Sequence, residues 1–271
     1  MVVAAANRPI GMFDSGVGGL TVARATIDLL PHEDLVYFGD TARCPYGPRP
    51  LEEVKRFALQ IMDLLIAEDV KVLVVACNAA ASAALEEARA RYDVPIIGVI
   101  EPGVRAAVAF TRNRRIGLLG TEVTVNSRAY DHAMKATRAN VTLISKACPR
   151  FVEFVERGDT ASDELVKVAQ DYLLPLKDEG VDTLILGCTH YPLLTGVIQY
   201  VMGEDVVLIS SAEVTANELY VQLLDGDLLN SSGGTHRFIC SSEEGTFSDL
   251  GVRFLGPEFG SVEVRGWGLG A

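Results

Sequence analysis

Two stretches of the chain, far apart in sequence, carry one pattern. "EDVKVLVVACN" (68–78) and "EGVDTLILGCT" (179–189) share Glu68/Glu179, Val70/Val181, Leu73/Leu184 and Cys77/Cys188 in register. Each is a polar approach, an aliphatic run, then a cysteine followed by small or polar residues. The chain has five cysteines, so one kept in a repeated context argues against accident. A second echo links "PIGMFDSGVG" (9–18) to "RIGLLGTEVT" (115–124). A chain repeating itself in this way must fold into two halves of similar topology. Apolar runs fix what that topology is: "PIGMF" (9–13), "LVYFG" (35–39), "VLVVA" (72–76) and "PIIGVI" (95–100), with helix-like segments between them. The clearest helix is expected over 50–66. Pro50 suits the first helical position, Glu52 and Glu53 suit the positive end of the dipole, and Val54, Phe57, Ala58, Ile61 and Leu65 share one face.

Strands alternating with helices imply βαβ units and a mostly parallel sheet. The expectation is an α/β fold of two similar, doubly wound, mostly parallel-sheet halves related by pseudo-two-fold symmetry, with the active site in the cleft between them. The halves run roughly over 8–105 and 114–210. As domains they divide into 1–100 plus 211–271 and 101–210. The tail opens with a helical stretch, "AEVTANELYVQLL", and passes through a polar surface loop, "NSSGG" (230–234).

Composition removes several function classes. An apolar fraction of 49% supports a substantial core, and no uninterrupted apolar run is long enough to span a bilayer. "MVVAAANRPIG" lacks the basic start and long apolar centre of a signal peptide. A net charge of −12 argues against a nucleic-acid groove. Cys44, Cys77, Cys148, Cys188 and Cys240 form no C-x-x-C pair, so neither a disulfide framework nor a zinc site follows, and a cytoplasmic setting is expected.

In parallel sheets ligands bind beyond the carboxyl ends of the strands. Cys77 and Cys188 both fall there. One such cysteine suggests a nucleophile. Two in equivalent places on facing halves suggest different chemistry. A carbon held between them loses a proton to one sulfur and gains one from the other, which inverts a stereocentre. Singly, each cysteine reads better as a buried core residue, a common fate for free Cys, and only the matched context favours function. "MFDSGVGGLTV" (12–22) is a strand, a Gly-rich turn and a helix, whose first amides could hold an anion; Asp14 could orient an ammonium or act as a base. An Asp-capped turn explains it as well. "FGDTARCPYGPRP" (38–50) is a stiff loop that could pre-arrange Tyr46, with Asp40 just past its strand, or could be a plain connector. His190, two residues beyond Cys188, could polarise a substrate or assist the thiol. Glu153 and Glu156 are equal candidates as helical acids, and Cys44, His32, His132 and His236 have no evident role.

Together, "FDSGVGGLTV", "YFGDTA" with "PYG", "VVACNAAAS", "ACPRFVEFVERG" and "LGCTHYPLL" resemble the cofactor-independent aspartate/glutamate racemase family, in family order over residues 10–210. The resemblance implies interconversion of L- and D-glutamate by two bases, without cofactor or metal, supplying D-glutamate for bacterial peptidoglycan, in a subunit that pairs as a homodimer. It implies that Cys77 takes the proton from the D enantiomer and Cys188 from the L. Asp14 and His190 assist the thiols, and Asp40 and Glu156, rather than Glu153, match further acidic positions linked to activity. Asp14, Ser15, Tyr46, Gly47, Asn78, Ala79, Thr189 and His190 match the substrate-binding positions. The chain departs from the family at Ala79, where a hydroxyl residue is usual. Three other readings stay open: a racemase for aspartate, a cysteine hydrolase using Cys188 with His190, and a phosphate-binding module built on "GVGG". Only the two-thiol racemases require both cysteines.

Overall fold

The structure, a computed structural model, describes residues 5–242 and 244–267; residues 1–4, 243 and 268–271 lie outside the described part. The first half begins with β1 (Ile10–Asp14), α1 (Leu20–Leu29), β2 (Leu35–Gly39) and α2 (Leu51–Ala67). It continues through β3 (Val72–Val75), α3 (Asn78–Arg91), β4 (Ile96–Gly98) and α4 (Ile100–Phe110). The second half holds β5 (Arg115–Gly120), α5 (Glu122–Asn126), α6 (Ala129–Ala136), β6 (Thr142–Ala147) and α7 (Arg150–Glu156). It closes with α8 (Asp163–Asp178), β7 (Thr183–Gly187), α9 (Thr195–Met202) and β8 (Val207–Ser210). The tail follows as α10 (Ser211–Asp225), β9 (His236–Cys240), α11 (Glu244–Leu255) and β10 (Val262–Val264).

The strands form two sheets, ordered β10-β9-β2-β1-β3-β4 and β6-β5-β7-β8, and every pairing is parallel. The order 2-1-3-4 in the first recurs as 6-5-7-8 in the second. β3 and β7, the strands of the sequence repeat, are therefore equivalent neighbours of β1 and β5. The packing shows why particular residues recur. A methyl group on Gly11 of β1 would meet Val70 at 2.9 Å and Leu73 at 3.1 Å. One on Gly117 of β5 would meet Leu184 at 2.5 Å and Val181 at 3.1 Å. Each glycine makes room for the Val–Leu pair of its own half, so all three positions are retained together. Burial of β1, β2, β3 and β7 along their whole length explains their continuous apolar runs, as both faces of a parallel sheet are covered.

α2 starts one residue later than its sequence pattern indicates: Pro50 is its N-cap, and Val54, Phe57, Ala58, Ile61 and Leu65 are all buried. The tail strands, which have no apolar periodicity, extend the first sheet. β9 pairs with β2 from Leu35↔His236 to Gly39↔Cys240, and β10 pairs with β9. The halves are joined by helices from both sides. α4 packs on β7 and β8, while α10 packs on α1, α4, β4 and β7.

Candidate active site

The carboxyl ends of the strands converge on one cavity of about 250 Å³. Pockets for drug-sized ligands run about 300–1,000 Å³, so this one suits something smaller. The first half contributes Ser15 after β1, Cys44 to Pro48 after β2, and Cys77, Asn78 and Ala79 after β3. The second contributes Thr121, Glu122 and Thr124 after β5, then Pro149, Val152, Glu153 and Glu156 after β6, and Gly187 to His190 after β7. Equivalent strand ends face the same space, and Cys77 and Cys188 both line it.

The two cysteines are equivalent in the repeat but differ in their surroundings. Cys77 is the N-cap of α3 and accepts from the Ala80 N–H at 3.5 Å. Burial pushes its thiol well above the ordinary value and nearby Asp14 adds to this, while hydrogen bonds from Ala80 and Ser15 pull the other way. Cys188 precedes a short 3₁₀ turn, Tyr191–Leu194, and its sulfur lies 3.8 Å from His190 Nδ1. His190 is buried, and Nε2 stands 3.4 Å from Glu156 Oε1, close enough for charge pairing but without hydrogen-bond alignment. Burial disfavours the charged ring, yet Cys188, Glu156 and Asp14 outweigh it and the imidazole is pushed up to about 10.

Asp14 stands behind the cavity wall. One carboxylate oxygen accepts the Gly16 N–H at 2.9 Å and the other the Thr189 hydroxyl at 3.2 Å, so it ties the β1 loop to the β7 loop. Gly18 makes this approach possible. A methyl group there would collide with Thr189 Oγ1 and come within 2.6 Å of His190 Nδ1. The N–H groups of Leu20, Thr21 and Val22 donate to the Val17, Gly18 and Gly19 carbonyls, so the first three amides of α1 are engaged within the turn.

Asp40 also lies outside the lining. Its oxygens take four donors: Arg43 Nε at 2.6 Å, the Tyr46 hydroxyl, Ser241 Oγ at 2.8 Å and Trp267 Nε1 at 2.8 Å. It anchors the loop that carries Tyr46 and Gly47. That loop docks across the cleft, where the Gly47 carbonyl accepts from the Val123 N–H at 3.1 Å. Asn78 Oδ1 likewise accepts from Tyr130 in the other half at 2.6 Å, leaving its buried Nδ2 without a partner among the described residues.

Ser15, Tyr46, Gly47, Cys77, Asn78, Ala79, Glu156, Cys188, Thr189 and His190 are thus brought together, and Asp14 and Asp40 stand outside the lining. Glu153 lines the cavity too, but Glu156 is the acid that reaches His190. His32, His132 and His236 are not part of the lining. Sequence reasoning misses Cys44, Thr121, Thr124 and Tyr130. Cys44 is a third thiol in the lining; burial pushes it up, with Glu156 next. Thr121 and Thr124 have a signal that could find them, because "GTEVT" echoes "DSGVG" and so marks a strand end.

Two α/β halves closing acid–base groups around a small-molecule cavity define the class. A family model described as Asp/Glu/Hydantoin racemase matches residues 20–219. The glutamate racemase of Acidothermus cellulolyticus is 53% identical over 259 residues, covering 94% of this chain and 98% of that protein. The crystal structure of a glutamate racemase isoform from Bacillus anthracis superimposes with a TM-score of 0.91 at 42% identity, covering 97% of this chain and 98% of that one. A Francisella tularensis glutamate racemase in complex with D-glutamate superimposes at 0.90 with 34% identity, covering 96% and 98%. The chain belongs to the Asp/Glu/Hydantoin racemase family.

Proposed function

We propose that the chain is a glutamate racemase, interconverting L- and D-glutamate by proton transfer at Cα between two thiols and supplying D-glutamate for peptidoglycan. The observation that carries this reading is that Cys77 and Cys188, one from each of two equivalent strand ends, line a single amino-acid-sized cavity. In the L to D direction the Cys188 sulfur removes the Cα proton, and the Cys77 thiol, kept protonated by burial and Asp14, delivers its own to the opposite face. His190, held as an imidazolium, pairs with the negative charge that Cys188 carries as base. In the D to L direction the roles exchange: the Cys77 sulfur, left without its proton by the preceding transfer, removes the Cα proton, and the Cys188 thiol returns the proton it took up. Between the two transfers the carbanion is held by donors in a closed, water-poor site. The Asn78 Nδ2, the first amides of α3, and the one hydroxyl of the Thr121–Thr124 pair that does not donate to the other supply these for the carboxylates.

Glutamate rather than aspartate is supported by relatives named glutamate racemases at about half identity over nearly the whole chain. A cytoplasmic homodimer completes the proposal. It is supported by the exposed apolar side chains of Leu29 on α1 and Val221 and Leu224 on α10. Among the described residues no helix is long and apolar enough to cross a membrane.

The test is incubation with L- and then D-glutamate in deuterated water, without added cofactor, followed by chirality and mass. Deuterium enters Cα of the product enantiomer as optical activity decays. Replacing either Cys77 or Cys188 by Ala lowers both directions by about 10²–10⁴-fold or more. Full activity in one variant refutes the two-thiol assignment and favours a single-cysteine enzyme; preference for aspartate refutes the substrate.

A further inference from the structure

We infer that the tail helix α11 completes the site, and that Phe254 on it is a positioning residue for the His190 imidazole; this rests on the racemase reading above. α11 packs against α1 of the first half and lies beyond residue 219, where the family match ends. Its Phe254 is buried, and the ring meets the His190 ring edge to face, with centroids 5.9 Å apart and planes at 81°. The neighbouring Arg253 crosses to the other half, where Nη2 donates to the Gly158 carbonyl at 3.4 Å. Gly158 follows the end of α7, two residues after Glu156, in a left-handed conformation (φ +79°), and a side chain there would collide with the guanidinium.

Consecutive tail residues therefore touch one member of a charge pair and the turn that carries the other. Phe254 holds the imidazole, and Arg253 holds the turn from which Glu156 reaches it. His190 needs such support. Among the described residues its ring nitrogens have two polar partners, Cys188 at 3.8 Å through Nδ1 and Glu156 at 3.4 Å through Nε2, and neither contact is a short hydrogen bond. Rotation of the ring about its own axis would swing Nδ1 away from the sulfur and Nε2 away from the carboxylate at once. The perpendicular Phe254 ring blocks that rotation on one side. Gly18 closes in on Nδ1 from the β1 loop. The imidazole is held between the tail and the first half, although it belongs to the second.

The experiment compares wild type, Phe254→Leu and Phe254→Tyr in the full chain, measuring glutamate racemisation together with the His190 ring resonances in ¹⁵N-histidine-labelled protein. Phe254→Leu lowers kcat by about ten- to a hundredfold, as misplacement of an assisting group does, with little change in KM. It also shifts or broadens the His190 resonances. Phe254→Tyr, which keeps the ring, restores both. Should Phe254→Leu not fold, Phe254→Met fills similar volume without a ring and carries the same measurement. Unchanged kcat and unchanged His190 resonances in Leu or Met overturn the inference, as does a loss of thermal stability alone. Wild type that does not racemise glutamate overturns the functional reading instead, so the two failures are distinct.

Discussion

Ala79 is the position where this chain lacks a donor that its cavity can use. It is the second residue of α3, buried in the wall beside Cys77 and Asn78. The first amides of a helix have no intrahelical acceptor, and Asn78 Nδ2 is buried without a partner among the described residues. This corner is therefore built to receive an anionic group, with a methyl where one more donor would fit. Ala79→Ser supplies it. A hydrogen bond to a charged group is worth about 1.5–3 kcal/mol. Because the proposed reading has the helix amides and Asn78 serve the same carboxylate, the lower end applies. About 1.5 kcal/mol corresponds to slightly more than a tenfold gain in kcat/KM. Part of that gain belongs in kcat, since negative charge on the substrate carboxylate grows as the carbanion forms. Initial rates from each glutamate enantiomer, followed by circular dichroism, measure it. Ala79→Thr against Ala79→Val separates the hydroxyl from added volume, and Thr should be the faster. A serine variant of unchanged thermal stability with unchanged or lower kcat/KM, or a Val variant equal to Thr, refutes the idea that the wall lacks a donor here.

Three further outcomes follow from the geometry. Gly18→Ala displaces Thr189 and also His190, whose Nδ1 would lie 2.6 Å from the new methyl group, so activity should fall about a hundredfold while the chain still folds, as rates and thermal melting will show. The His190 imidazole, pushed up to about 10 in the folded chain, binds its proton more tightly there than in the unfolded chain, where about 6.5 is usual. That contribution is complete below about pH 6.5 and is lost as pH rises towards 10. The urea midpoint should decline over that window, and His190→Gln should flatten the decline. Lys71, buried with Glu33 and donating also to the Ala6 and Leu228 carbonyls, should cost about 3–5 kcal/mol on replacement by Ala, measured by urea unfolding, because Glu33 is left buried without its cation.

The parts of the fold that can be read in the sequence are those where burial leaves a pattern. β1, β2, β3 and β7 are covered on both faces and so appear as unbroken aliphatic runs; α2 has one buried stripe and reads as a helix to within a residue at its start. β9 is "HRFIC", with an imidazole and a guanidinium at its start, and β10 has three residues. Their pairing is set by partners far away in sequence, as in Gly39↔Cys240, and nothing local announces it. The site divides along the same line. The cysteines and His190 can be named from their strand-end motifs, and Glu156 only from the family resemblance, since the helical pattern leaves it level with Glu153. Tyr130, Phe254 and the tail partners of Asp40 cannot, because they matter only through contacts made after folding. The Gly-rich turn shows a related limit. Its composition allows free amides, but the folded chain directs those of Leu20, Thr21 and Val22 to the turn's carbonyls, and Gly18 lets Thr189 and His190 approach.

The repeat also sets a limit on what any of these residues can do. The two substrates are mirror images, so in an achiral solvent they have equal free energy and the equilibrium constant between them is one. kcat/KM must then be the same in both directions, whatever the protein does. The walls of the cavity are nonetheless unequal. β1 ends in Asp14 where its counterpart β5 ends in Gly120, and Cys77 is met by a helix amide where Cys188 is met by an imidazole. A duplicated scaffold brought the two sulfurs to equivalent places; divergence around them cannot have produced a bias towards one enantiomer. It can only divide the common kcat/KM differently between kcat and KM on each side. Any substitution at Ala79, Gly18, Phe254 or either cysteine must therefore change kcat/KM for L- and D-glutamate by one and the same factor. A variant in which the two factors differ would mean that the process measured is not racemisation.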